Sequence, residues 1–202
     1  VAAGAHPGYQ DLVGFGRRNM KVAPAEVTDI VMYQIGALEA FCRANGIAMQ
    51  HVKPHGAMYN MAEKDDKLAE AICRGIKAVN QDLILLGPGS GKMVKAAKTL
   101  GLKTAGEVFA DRAYMEDGTL VPRSQEGAMI TDEEEAVARV LEMVQKGTVT
   151  AITGKKIEVQ ADSICVHGDG QKALLFVQKI RSELEKAGVV IAPMKEVIVG
   201  ES

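Results

Sequence analysis

The sequence predicts an α/β fold built on a parallel sheet, and three observations carry that expectation. Short apolar runs alternate with amphipathic stretches along most of the 202 residues. Glycines mark many of the boundaries between them. Strand–helix–strand order requires crossover connections, which parallel neighbours need. Strands are expected at 1–5, 48–53, 82–86, 103–107, 162–166 and 189–192. These suffice for a doubly wound sheet. A (β/α) barrel needs one or two more, which residues upstream of position 1 would supply. The chain opens VAAGAHPGY, without Met and already inside a strand, so upstream residues are expected.

The helices follow from period and punctuation. PAEVTDIVMYQIGALEAFCRANG has Pro24 near its start, Val27, Ile30, Ile35, Leu38 and Phe41 at helical spacing, and Gly46 as a stop. The stretch 54–80 holds one or two helices. TDEEEAVARVLEMVQKG opens on Thr131 and Glu134 in capping-box spacing and stops at Gly147. QKALLFVQKIRSELEKAG repeats that logic and stops at Gly188. The segment 148–162, TVTAITGKKIEVQAD, reads as a small hairpin insertion. There is no repeat, linker or low-complexity tract, so 1–202 is expected to be one domain, incomplete at its N-terminus if it is a barrel.

Charge and composition exclude some classes. Lys+Arg number 24 against Asp+Glu 26, without a basic block, which argues against nucleic acid as a partner. No apolar run approaches the ~20 residues of a membrane span. Cys42, Cys73 and Cys165 are odd in number and form no CxxC, the pattern of free thiols in a reducing cytoplasm.

The chemistry gathers where strands end. Three of the four histidines stand there: His6 in GAHPG, His55 in KPHG and His167 in CVHGD. Ligands of parallel α/β folds bind beyond the carboxyl ends of strands, so these three are expected to converge on one rim. His51 lies two residues before Lys53, on the same strand face. It is either part of a polar barrel lining or a satisfied core residue. AGEVFADRAYMEDGTLVPRS, 105–124, places Glu107 at a strand end and Asp111, Arg112, Tyr114 and Arg123 in one long loop. Carboxylates beside histidines suit acid–base work or a metal, and arginines suit a carboxylate or phosphate. An ion-pair network of Asp111, Arg112 and Glu107 is the structural alternative. Tyr9, Arg17 and Arg18 form a similar loop after the first strand. LILLGPGSGKM, 83–93, imitates a P-loop, but Gly87 to Gly91 is one residue short and Met93 replaces the metal-binding hydroxyl. Its helix N-terminus still suits a phosphate or carboxylate.

Together, GAHPGYQDLVGFGRR, VKPHGAMYN, GEVFADRAYMEDGTLVPRSQEGAMI and CVHGD resemble the LamB/YcsF family, in the family's order, from residue 1 to about 193. The resemblance implies a distorted (β/α) TIM-like barrel of the glycoside hydrolase/deacetylase type. It implies ATP-dependent hydrolysis of the 5-oxoproline lactam to glutamate in the cytoplasm, by a 5-oxoprolinase component that works beside subunits B and C. By carry-over, His6, His55, Glu107, His167 and Asp169 are catalytic candidates, and Lys53, Asp111, Arg112 and Arg123 bind substrate or anion. His55, His167 or Asp169 would serve as base, Lys53 or Arg112 would stabilise negative charge, and Arg123 would take the substrate carboxylate. ATP is bound directly or through the partners; a divalent metal and a homo-oligomer are compatible with the pattern. The family's acidic first strand and its CG-H-GD-type motif are absent from this chain, leaving an open barrel. A metal-dependent amide hydrolase without ATP, or a non-catalytic scaffold, are the rival expectations.

Overall fold

A computed structural model describes residues 2–167 and 173–199, which divide into two compact units. The first comprises Val1–Gly87 and Gly91–Ala105, the second Pro88–Ser90 and Gly106–Ser202.

In the first unit the order is β1 (Ala3–Ala5), α1 (Pro24–Ala44), β2 (Met49–Val52), α2 (Gly56–Ala62), α3 (Asp66–Val79), β3 (Ile84–Gly87) and α4 (Lys92–Thr99). β1 pairs with β2 and β2 with β3, both parallel. Val27, Ile30, Val31 and Ile35 of α1 pack toward Leu68, Ile72 and Ile76 of α3, all buried. Each such side chain contributes roughly 1.5–3 kcal/mol. Gly75 makes the approach close: a Cβ there would stand 2.9 Å from the Thr28 carbonyl oxygen. Phe41, expected on the buried face, is 71% exposed, and Cys42 takes the inner position instead. The stretch 54–80 resolves into two helices. Asp65 caps α3 by accepting from the amides of Lys67 and Leu68.

β4 (Lys103–Phe109) begins in the first unit and ends in the second. It is followed by α5 (Glu133–Lys146), β5 (Thr148–Thr150), β6 (Lys156–Glu158), β7 (Ser163–Cys165), α6 (Ala173–Lys186) and α7 (Met194–Val199). β4 and β7 are parallel, and β5 and β6 form the expected antiparallel hairpin. α5 ends on Gly147 in the left-handed region, as its sequence predicts. Its N-cap is Asp132, not Thr131: the Asp132 carboxylate accepts from the Glu135 amide. No strand forms at 189–192. The Val189 amide is spent on the Leu184 carbonyl, closing α6, and the segment runs into Pro193 without a ladder partner among the described residues. β4 also runs two residues further than expected, so Glu107 is a buried residue inside the strand and not at its end.

Candidate active site

The parallel ladder of β1 and β2 delivers the first histidine pair. Ala5 lies opposite Val52, the Lys53 amide donates to the Ala5 carbonyl, and the His55 amide donates to the Pro7 carbonyl. Continuing the ladder past both strand ends brings the rings of His6 and His55 together, 4.7 Å between centroids and edge to face. His6 Nδ1 lies 2.6 Å from the Lys53 carbonyl oxygen and His55 Nε2 lies 2.7 Å from that of Phe15. Carbonyl oxygens only accept, so both outer nitrogens carry protons. The inner nitrogens, His6 Nε2 and His55 Nδ1, are 2.9 Å apart, within hydrogen-bond distance of each other.

The walls of this pair are backbone. Phe15 has φ 54°, the one non-glycine residue in the left-handed region among those described, and that turn aims its carbonyl at His55. Gly8 and Gly16 bracket the ring: added Cβ atoms would stand 3.2 Å from His55 Cβ and 3.0 Å from its Cδ2. Gln34 holds Gly8 from both sides, accepting from its amide at 3.1 Å and donating to its carbonyl at 2.7 Å. Asp11 ties the loop by accepting from Arg18 and from the Gly14 amide. The Arg18 guanidinium holds the Asp11 carboxyl down at about 2. The Arg18 guanidinium is therefore paired with an internal carboxylate.

Register builds the second pair. Phe109 lies opposite Cys165 in the β4–β7 ladder, so Asp111 and His167, each two residues on, come side by side. His167 Nδ1 is 2.8 and 3.1 Å from the two Asp111 oxygens. The Phe109 ring stacks on the imidazole at 6.1 Å. Burial alone would raise the Asp111 carboxyl, yet the His167 hydrogen bond and charge hold it below the usual carboxylate range. With Nδ1–H on a carboxylate, Nε2 is the basic nitrogen. It has no partner among the described residues.

The other candidates separate. Arg112 is buried and donates to the Val121 carbonyl at 2.6 Å, and burial, then Arg123, lowers its pKa. It organises the loop, and the alternative of an Asp111–Arg112–Glu107 ion-pair network does not form: Asp111 pairs with His167. Arg123 is exposed, with Nη1 3.7 Å from Met129 Sδ. Lys53 contributes its backbone carbonyl to the first pair. Asp169 lies outside the described residues. His51 packs on Gly4 so closely that a Cβ there would overlap its ring. Its shielded Nδ1 meets no partner among the described residues, so within them it is not a satisfied core histidine. Burial, then Lys53, lowers its pKa.

Sequence reasoning missed Phe15, Asp11 and Glu63. The flanking glycines of GFG were the readable signal for Phe15. Glu63 carries none: its carboxylate accepts from the Lys92 and Met93 amides and fills the N-terminus of α4 in the P-loop-like turn. A metal would use the inner nitrogens of His6 and His55. Catalytic zinc takes three protein ligands, and no group of three or more His, Cys, Asp or Glu among the described residues can hold an ion. The residues present do not fit a metal centre, and no step below runs through one. Among the described residues no helix is long and apolar enough to cross a membrane.

The model of the LamB/YcsF family matches residues 1–199. The A component of 5-oxoprolinase from Clostridium beijerinckii is 62% identical over 197 residues, covering 98% of this chain and 77% of that protein. The Bacillus subtilis and Pyrococcus abyssi proteins of the same name are each 52% identical, covering 97% and 98% of this chain and 76% and 78% of theirs. A crystal structure of a lactam utilization protein from Thermus thermophilus superposes with a TM-score of 0.87 at 46% identity, covering 95% of this chain and 76% of that one. The α/β class, of distorted TIM-like barrel type, is as the sequence predicts.

Proposed function

This chain belongs to the LamB/YcsF family, and we propose that it opens the lactam ring of 5-oxoproline to give glutamate, as the A component of an ATP-hydrolysing enzyme of several chains. The names of its relatives support the substrate class. The Asp111–His167 pair carries the chemical reading: Asp111 fixes the imidazole through Nδ1 and leaves Nε2 to take a proton from water.

A five-membered lactam amide resists water. ATP supplies a phosphoryl group to the carbonyl oxygen, which makes the carbon electrophilic. Water then attacks that carbon, giving its proton to His167 Nε2. The carbon–nitrogen bond breaks as the ring nitrogen takes up a proton, which leaves an acyl phosphate. A second water attacks the same carbon and phosphate leaves with the former carbonyl oxygen, completing the carboxylate. The His6–His55 pair contributes positioned ring N–H groups, not a base, since each ring nitrogen is already engaged. The nucleotide is not placed at the α4 N-terminus, which holds Glu63. Subunits B and C belong to the proposal as partners that bind or pass on the activated ring.

The test uses the full-length protein with subunits B and C, following glutamate and ADP together from 5-oxoproline. Wild type should release both in step, and His167→Gln should lose glutamate release. Undiminished glutamate release from His167→Gln would remove the base from this pair and favour a scaffold. Turnover without any nucleotide would favour the ATP-independent amide hydrolase.

A further inference from the structure

The second unit contains a cavity of about 460 Å³ whose lining includes neither Asp111 nor His167. Ala113, Ile130, Ala151 and Ile152 form apolar walls, and Glu135 and Arg139, one turn apart on α5, are its charged lining. Arg139 is poorly satisfied. Its Nη1 donates to the Thr150 carbonyl at 3.3 Å and its Nη2 to the Arg112 carbonyl at 3.2 Å, both long. Its Nε is shielded from solvent without a partner, and no carboxylate among the described residues forms an ion pair with it. Each of its Nη atoms has an N–H to spare, since each holds a single carbonyl. Burial lowers its pKa, with Glu135 opposing through space. A half-buried guanidinium without an anion is costly and calls for one. Glu135 lies at the edge of the cavity, and its carboxylate makes no side-chain hydrogen bond among the described residues.

Two opposite charges on one wall, interacting through space but joined by no ion pair among the described residues, favour a ligand that carries both. A dianion without an amine would meet Glu135; an amine without an acid would meet Arg139. We propose that this cavity binds a small zwitterionic α-amino acid, its carboxylate on Arg139, its ammonium on Glu135 and its carbon chain against Ile130 and Ile152. The cavity lining shares no residue with the histidine pairs. If the ring-opening reading holds, the product glutamate is such a molecule and 5-oxoproline, lacking an ammonium, is not. The choice of glutamate as the probe rests on that reading.

Isothermal titration of the full-length protein with L-glutamate should show saturable binding that excess 5-oxoproline does not displace. Glu135→Gln should weaken it at least tenfold, and Ile152→Trp, which fills the cavity from its exposed edge, should abolish it. Thermal melts establish that both variants stay folded. His167→Gln should leave binding unchanged. No saturable heat, or binding lost in His167→Gln but kept in Glu135→Gln, overturns the proposal. The failure of the two readings is distinguishable. If the assembled enzyme releases no glutamate while Glu135-dependent binding of glutamate persists, the ring-opening reading falls and this site stands.

Discussion

His55 leaves β2 and His167 leaves β7 in the same manner, a short step past the last paired residue, and each finds a polar partner there. The partners differ. His55 meets a carbonyl on one side and another histidine on the other, so both ring nitrogens are occupied. His167 meets a carboxylate on one nitrogen. A carbonyl fixes a proton in place, and a second imidazole occupies the other nitrogen. A carboxylate orients the ring and leaves the far nitrogen open. The same residue type at an equivalent topological position is therefore held through both ring nitrogens in one unit and through one in the other.

The largest effect tests that contrast directly. In the assembled enzyme, His167→Gln should lower glutamate release by about 10²–10⁴, the usual worth of a general base. His55→Gln should lower it less and act chiefly on stability, seen in the urea midpoint. A larger loss from His55→Gln breaks the comparison. Next, Gly16→Ala should cost about 1–3 kcal/mol in urea unfolding, because φ 63° is strained for alanine and its Cβ would press on the His55 ring. A neutral result would mean that the slot does not fix the ring.

Acid acts on both units with the same sign but through different pairs. Asp111 and Asp11 both have folded pKa values below their unfolded ones. Their stabilisation is complete above the unfolded value of roughly 3.9 and is lost as pH falls through the folded value, about 2 for Asp11. Asp11→Asn should flatten the acid limb of unfolding contributed by the first unit, and Asp111→Asn that of the second, in urea melts across pH 2 to 6. An unchanged limb in either variant would show that its pair does not hold. The smallest effect is a control on general loosening. Asp132→Ala should cost about 1 kcal/mol as a lost helix cap, Thr131→Ala almost nothing, and neither should alter turnover. Thermal melts beside the glutamate assay check both.

Much of the fold was legible because its signals are local. Pro24, the apolar spacing of α1, Gly147 and Gly188 each act within a turn or two of chain. The errors were also local in origin. Asp132 outcompeted Thr131 because it is one residue nearer the first free amides. Residues 189–192 carry strand-like side chains, but a strand also needs a neighbour, and helix closure had already taken the Val189 amide. Phe41 fits the helical period, yet that side of α1 faces solvent.

By itself the sequence determined the alternation of strands and helices, the family, and the placing of His6, His55 and His167 just past strand ends. Only the tertiary structure decided which histidine keeps a basic nitrogen. Ladder register sets Asp111 beside His167, whereas a left-handed Phe15 sends its carbonyl to His55. It likewise decided that Glu63 fills the P-loop-like turn and that Arg139 stands beside a cavity without an anion. The physical reason is the range of each interaction. Periodicity and capping act between residues a few positions apart. A hydrogen-bond partner is chosen among all groups within about 3 Å, and those groups come from segments that only folding brings together.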